Sequence, residues 1–336
     1  MRAIRFIRFV LLAIIALFIV AVIALYVYQP SPPDRFSFSD EGETIPLPDG
    51  RQLAWTDSGD PNGRPIFYFH GGPGSRIEAQ LYDAANKELG IRMIALDRPG
   101  YGRSDFQPGR SYLDWADDVQ AVADQLAIER FAVIGFSSGG PYAALVAHEM
   151  PERLSVVAIV AGEGPYLHAD YPWAALSEQS FGASPVNNIF MFSAKYAPFV
   201  MRSFFRLMRI MIFADPIGVM QSSGGEILSD RDLQMFTRDE YALAQVEALR
   251  QGAAGPSHDF TLERRDWPFA LEDINAPEVL VFHGQDDGGV DPAVATFVCG
   301  LIPACGKTVM FPGEGHSVLY HRYNEIAGAI LSAWKD

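Results

Sequence analysis

Cysteine is nearly absent. Cys299 and Cys305 are the only two in 336 residues, too few for a disulfide scaffold or a four-cysteine zinc site. Basic side chains are in deficit, 26 Lys and Arg against 41 Asp and Glu, for a net charge of −15. A body of that sign repels phosphate backbones, which argues against nucleic acid as a partner. The chain has no dinucleotide-binding glycine fingerprint and no zinc-ligand spacing, so no organic cofactor and no metal are expected. Internal repeats and low-complexity tracts are missing too. What is plentiful is apolar: 49% hydrophobic residues exclude a disordered chain and support a sizeable core. The length fits two domains, or one large domain with an insertion.

Charge is also missing from Phe9 to Tyr28. That run, at about 1.5 Å per helical residue, spans roughly 30 Å, the thickness of a bilayer core. Arg2, Arg5 and Arg8 precede it, and Asp34, Asp40 and Glu41 follow. Residues 1–28 therefore read as a single-pass transmembrane signal-anchor with a cytoplasmic N-terminus and an extracytoplasmic, periplasm-like body. The competing reading is a cleaved signal peptide, but Leu25-Tyr26-Val27-Tyr28 offers no small-x-small cleavage site. Residues 29–42 read as a linker, opened by the stiff extended spacer Gln29-Pro30-Ser31-Pro32-Pro33.

From there strand and helix alternate. Glu43–Pro48 and Gln52–Asp57 flank Asp49-Gly50, a hairpin signal. Ile66–Phe69, Met93–Leu96, Phe131–Ile134, Val156–Val160, Val279–Phe282 and Thr308–Phe311 are short apolar runs suited to buried parallel strands. Helical patterns cover Leu113–Leu126, Ser138–Glu149, Pro292–Leu301 and Leu319–Trp334. The order predicts an α/β fold, a mostly parallel sheet with helices on both faces, over residues 43–164 and 272–336. Residues 165–271 are too long for a loop and mostly helical in period, so they read as an inserted helical cap. Six of the ten methionines fall there, either packing between cap helices or walling a pocket for an apolar substrate. In Tyr196–Phe213, Arg202, Arg206 and Arg209 recur at helical spacing. They could pair with nearby acids or lie on an anionic bilayer.

Gly135-Phe136-Ser137-Ser138-Gly139 fits G-x-S-x-G between an apolar strand and a helix. That elbow projects Ser137 as a nucleophile, and the start of the following helix offers free N–H groups to an oxyanion. With His70-Gly71-Gly72-Pro73-Gly74, Asp97-Arg98-Pro99-Gly100-Tyr101-Gly102-Arg103-Ser104, His283-Gly284-Gln285-Asp286-Asp287 and Gly313-Glu314-Gly315-His316, the chain resembles the α/β-hydrolase family from about Thr44 to Asp336. The resemblance implies the chain order Ser, acid, His, hence His316 as base. It implies Asp287 as the acid, with Asp286, Asp291 and Glu163 as alternatives. It also implies an oxyanion hole from the backbone amides of Gly72 and Ser138. His70 is expected to brace its loop, and Arg98 or Arg103 to pair with Asp97 or Asp105 in a structural loop without a catalytic role.

A serine at the elbow separates the chain from relatives that carry aspartate there. The His70–Gly74 loop also resembles proline iminopeptidases. Those usually have tryptophan and glutamine where this chain has Ser138 and Arg98. The leading expectation is therefore a serine hydrolase of carboxylic esters with a hydrophobic or lipid-like acyl group. The alternatives are an aminopeptidase of the proline-iminopeptidase type and a non-catalytic binding protein of the same fold. Activity requiring neutral His316 is expected to fade below about pH 6–6.5, near the ordinary imidazole value. Cys299 and Cys305 could close a disulfide in an oxidising compartment. Oligomeric state leaves no signature in the sequence.

Overall fold

The computed structural model describes residues 23–224 and 227–335, together with Ala16 and Val20. The apolar runs become β1 (Glu43–Pro46), β2 (Gln52–Gly59), β3 (Arg64–Phe69), β4 (Ile91–Leu96), β5 (Phe131–Phe136), β6 (Leu154–Val160), β7 (Val279–Gly284) and β8 (Cys305–Phe311). They form one sheet in the order β1-β2-β4-β3-β5-β6-β7-β8. β1 and β2 form the expected hairpin, β2 runs antiparallel to β4, and the other neighbours are parallel. Every residue of β5 and β6 is buried, because both faces of a parallel sheet are covered by helices.

From β1 onward the α-helices among the described residues are α1 (Asp83–Leu89), α2 (Leu113–Gln125), α3 (Gly140–Glu149), α4 (Pro185–Tyr196), α5 (Pro198–Ala214), α6 (Pro216–Gly224), α7 (Asp230–Phe236), α8 (Asp239–Ala248), α9 (Ala254–Glu263), α10 (Pro292–Leu301), α11 (Val318–His321) and α12 (Tyr323–Ala333). The period-2 alternation of strands sends Phe67 and Phe69 to one face, with Trp115, Tyr142 and Val294. Ile66 and Tyr68 go to the other, with Tyr82, Tyr323 and Ile326. The final helix, expected over Leu319–Trp334, is interrupted at Arg322, whose φ of −114° and ψ of 19° are not helical. Arg322 Nε donates to Glu314 at 2.7 Å, so the interruption ties the helix to the loop that carries His316.

The stretch between β6 and β7 holds α4 to α9, the helical cap. Its methionines mostly pack internally: Met201 lies with Phe190 and Phe205, and Met235 with Phe236 and Tyr241. Within residues 29–42, Phe36 is buried against Ile212, Phe213 and Val246 of the cap. Cys299 and Cys305 are disulfide-bonded, their Cα atoms 5.3 Å apart. The transmembrane helix expected over 1–28 lies largely outside the described residues. Residues 23–27 are helical, and among the described residues no helix is long and apolar enough to cross a membrane.

Candidate active site

β5 presents Ser137, the expected nucleophile, through a strained turn. Ser137 has φ of +53°, a conformation costing about 1–3 kcal/mol for a residue with a side chain. It opens a short helical turn, Ser137–Gly139, that runs into α3. The flanking glycines are required by space. A Cβ on Gly135 would lie 2.4 Å from the carbonyl oxygen of Gly139, and one on Gly139 would lie 2.2 Å from that of Phe69. Ser138 is the second residue of this turn, where backbone N–H groups have no partner within the helix.

The residues expected to act with Ser137 converge on it. His316 Nε2 is 2.9 Å from Ser137 Oγ, and His316 Nδ1 is 2.8 Å from Asp287 Oδ2. The other oxygen of Asp287 accepts the amides of Gly289 and Val290 at 2.8 and 2.9 Å, and His283 Nε2 lies 3.1 Å from Oδ2. Burial alone would raise the Asp287 pKa. The charge of His316 and the hydrogen bonds from His283 and His316 outweigh it and hold the carboxyl well below the usual range. Burial alone would lower His316, but the charge and hydrogen bond of Asp287, helped by Asp232 and Glu163, push it up to about 9. That corrects the expected midpoint near 6.5, because a buried carboxylate in contact with the ring stabilises the imidazolium.

The alternative acids have other partners. Asp291 caps α10, accepting the amide of Ala293 at 2.9 Å, and Asp286 is exposed. Glu163 accepts the Tyr166 hydroxyl and is not hydrogen-bonded to His316. The His316 loop is clamped from the cap, where Asp232 Oδ1 accepts the Ser317 amide at 2.7 Å and its hydroxyl at 2.6 Å. Phe236, next to this clamp, places its ring centroid 6.3 Å from that of His316.

The loop after β3 lies over the elbow. A Cβ on Gly71 would sit 3.3 Å from Ser137 Cβ, and one on Gly72 would sit 2.7 Å from Ser138 Oγ. His70 braces this loop as expected. Its Nδ1 is 2.7 Å from the Gly71 carbonyl oxygen, and its Nε2 lies 3.3 Å from the Arg98 amide. Burial, reinforced by the Arg98 charge, holds its pKa well below the usual value, so the ring is neutral.

Arg98 departs from expectation. It pairs with neither Asp97 nor Asp105 but with Asp259 of α9, Nε to Oδ2 at 2.6 Å. Its Nη1 donates to the carbonyl of His70, and its Nη2 donates to the Gly71 carbonyl and Ser138 Oγ, both at 3.2 Å. Asp97 pairs instead with Arg76, at 2.6 Å. Arg103 meets Asp97 only through its backbone amide, at 3.1 Å. A partner 161 residues away has no local signal in sequence. Among the described residues no group of three or more His, Cys, Asp or Glu is arranged to hold a metal ion.

Comparison with known proteins bears on the family and the fold. A family model described as alpha/beta hydrolase fold matches residues 64–323. The chain is 24% identical to a bifunctional esterase/perhydrolase of Acinetobacter calcoaceticus over 297 residues, 80% of this chain and 91% of that protein. It is 30% identical to a proline iminopeptidase of Neisseria gonorrhoeae over 106 residues, 31% of this chain, and so spans about a third (34%) of that relative's length. An esterase structure from Exiguobacterium antarcticum superposes with a TM-score of 0.62 at 20% identity, covering 87% of this chain and 98% of that one.

Proposed function

The chain belongs to the alpha/beta hydrolase fold family, and from that premise we propose that it cleaves carboxylic esters through an acyl-enzyme on Ser137. The observation that carries the reading is the continuous hydrogen-bonded chain from Ser137 Oγ through His316 to Asp287. Asp287 holds the Nδ1–H tautomer, leaving Nε2 to accept the serine proton as Oγ attacks the acyl carbonyl. The carbonyl oxygen becomes an oxyanion, for which the amides of Gly72 and Ser138 are the proposed donors. His316 then gives its proton to the leaving alkoxide. In the second half it takes a proton from the water that attacks the acyl-enzyme, then returns it to Ser137 Oγ as the C–Oγ bond breaks, releasing the acid and free Ser137.

Apolar rings at the site, Phe236 from α7 and Phe260 from α9, support a hydrophobic acyl group. The proposed placement is a membrane one: residues 9–28 anchor the chain, with the catalytic body on the extracytoplasmic side. The Neisseria relatives support a second reading, removal of an N-terminal proline, over the segment they share with this chain. A fluorophosphonate probe tests the nucleophile. The full chain is expected to label, and Ser137→Ala to lose labelling completely; an unlabelled, folded wild type would refute the acyl-enzyme. A panel of short and long acyl esters and a prolyl arylamide separates the readings, since turnover of the arylamide alone would favour the peptidase.

A further inference from the structure

Among the described residues, the arginines of α5 meet no acid. Arg206 Nη1 donates to the Tyr26 carbonyl at 3.2 Å, and Arg209 Nε donates to the Leu249 carbonyl at 2.9 Å. Arg206 Nε is buried with no hydrogen-bond partner among the described residues. Together with Arg202 they line a cavity of about 330 Å³ whose apolar wall includes Leu25, Tyr28 and Phe106, and which has no Asp or Glu among its described lining residues. In a chain of net charge −15, three cations gathered without a carboxylate form a local anion site.

The surroundings are apolar and open. On α4 and the start of α5, Phe192, Tyr196 and Phe199 are 61%, 64% and 67% exposed, continued by Val186, Ile189 and Leu207. Large side chains left in water along one face mark a surface made to be covered.

We propose that the Arg202–Arg206–Arg209 cavity binds the phosphate headgroup of an anionic phospholipid, with the apolar stripe of α4 and α5 resting in the same leaflet. The inference rests on the reading of residues 9–28 as a membrane segment. Two observations select a bilayer as the occupant. The uncharged run ends at Tyr28, in the wall of the cavity itself, and Tyr26 lies against Arg206 with the guanidinium carbon 4.1 Å from the ring centroid. Tyrosines at the end of an apolar run sit at headgroup depth, which brings the cavity to the level of lipid phosphates. Guanidinium forks match phosphate oxygens, and basic pockets beside membrane helices hold such headgroups. The face is also coupled to the chemistry. Phe205 of α5 packs on Phe260 at 4.8 Å, and Phe260 is the ring that abuts Gly72. Docking therefore sets the cap against the lipid phase from which an acyl substrate would enter.

The test uses the full chain in nanodiscs of zwitterionic lipid with or without phosphatidylglycerol. Both native cysteines are bonded to each other, so a fluorophore can be placed singly at Phe199→Cys or at Asn62→Cys, an exposed site on the β2–β3 turn. Nitroxide lipids should quench the label at 199 and leave that at 62 at background. R202Q/R206Q/R209Q should weaken docking to anionic discs by about 100-fold, as expected for three basic groups near an anionic surface. A chain that enters the discs with residue 199 unquenched overturns the docking alone, whereas a chain that never enters removes the anchor as well. Quenching that is equal in both lipids and unmoved by the three glutamines overturns the headgroup site. Millimolar inorganic phosphate raising the melting temperature of the detergent-solubilised chain as much as short-chain phosphatidylglycerol would overturn a lipid source.

Discussion

As the proposed base His316 is required neutral, but it sits where its proton is held. Asp287 is buried and in contact with the ring, and the imidazole pKa is raised to about 9. The sign follows directly: below that value the free enzyme carries imidazolium, so activity rises with pH through the folded pKa and falls about tenfold per unit below it. We expect the acid limb of kcat/KM on a soluble ester to lie well above 6.5, toward 9. Asp287→Asn should move that limb downward, because the charge that raises the ring is gone, and should lower kcat by about 10³–10⁴-fold through loss of the tautomer. A wild-type limb at 6.5, unmoved by the substitution, would contradict the assignment of Asp287. His283 also reaches Asp287, and the two loop amides satisfy the other oxygen, so the carboxylate is fixed from several directions and the ring inherits that orientation.

Among the elements, the loop after β3 depends on an arginine from the loop after β4. Arg98 grips the carbonyls of His70 and Gly71 and the Ser138 hydroxyl with one guanidinium, stacked between Tyr101 and Tyr142 at 5.0 and 4.8 Å. Because the proposed oxyanion donors act on charge that exists only in the transition state, Arg98→Met should lower kcat by about 10–100-fold with KM little changed. Arg98→Lys should recover only part, since an ammonium cannot make the fork. Arg110→Met removes the other cation from Asp259 and leaves the fork, so a similar kcat loss there would show that the effect is general loosening. This element was half legible. Runs of consecutive apolar residues announced the six parallel strands, and glycines two residues either side of Ser137 announced the elbow, because those signals are local. α1 escaped because seven residues, Asp83–Leu89, carry too little apolar period. The true partner of Arg98 escaped because the adjacent Asp97 is the obvious guess from sequence, and the chain returns with Asp259 only in α9.

Across the whole molecule, the cap is tied to the core by buried charge. Arg76 Nη1 meets Asp97 at 2.6 Å and Glu247 of α8 at 2.8 Å, all three side chains fully buried. Asp259 joins Arg98 and Arg110, and Asp232 clamps Ser317. Such ties are poor hinges: moving the cap as a rigid lid would expose or unpair several ions at once. A buried pair adds little over an apolar replacement, but removing one partner leaves a charge stranded. Arg76 faces two carboxylates, so Arg76→Met should cost about 3–5 kcal/mol in a denaturant titration. Arg76→Met combined with Asp97→Asn and Glu247→Gln should regain most of that loss, because no ion is then left unpaired. A triple variant as unstable as the single one would mean that packing of the arginine stem, rather than its charge, joins the two layers. An Arg76→Met protein within 0.5 kcal/mol of wild type, the scatter of ordinary surface changes, would mean that this buried ion cluster does not hold the cap to the core.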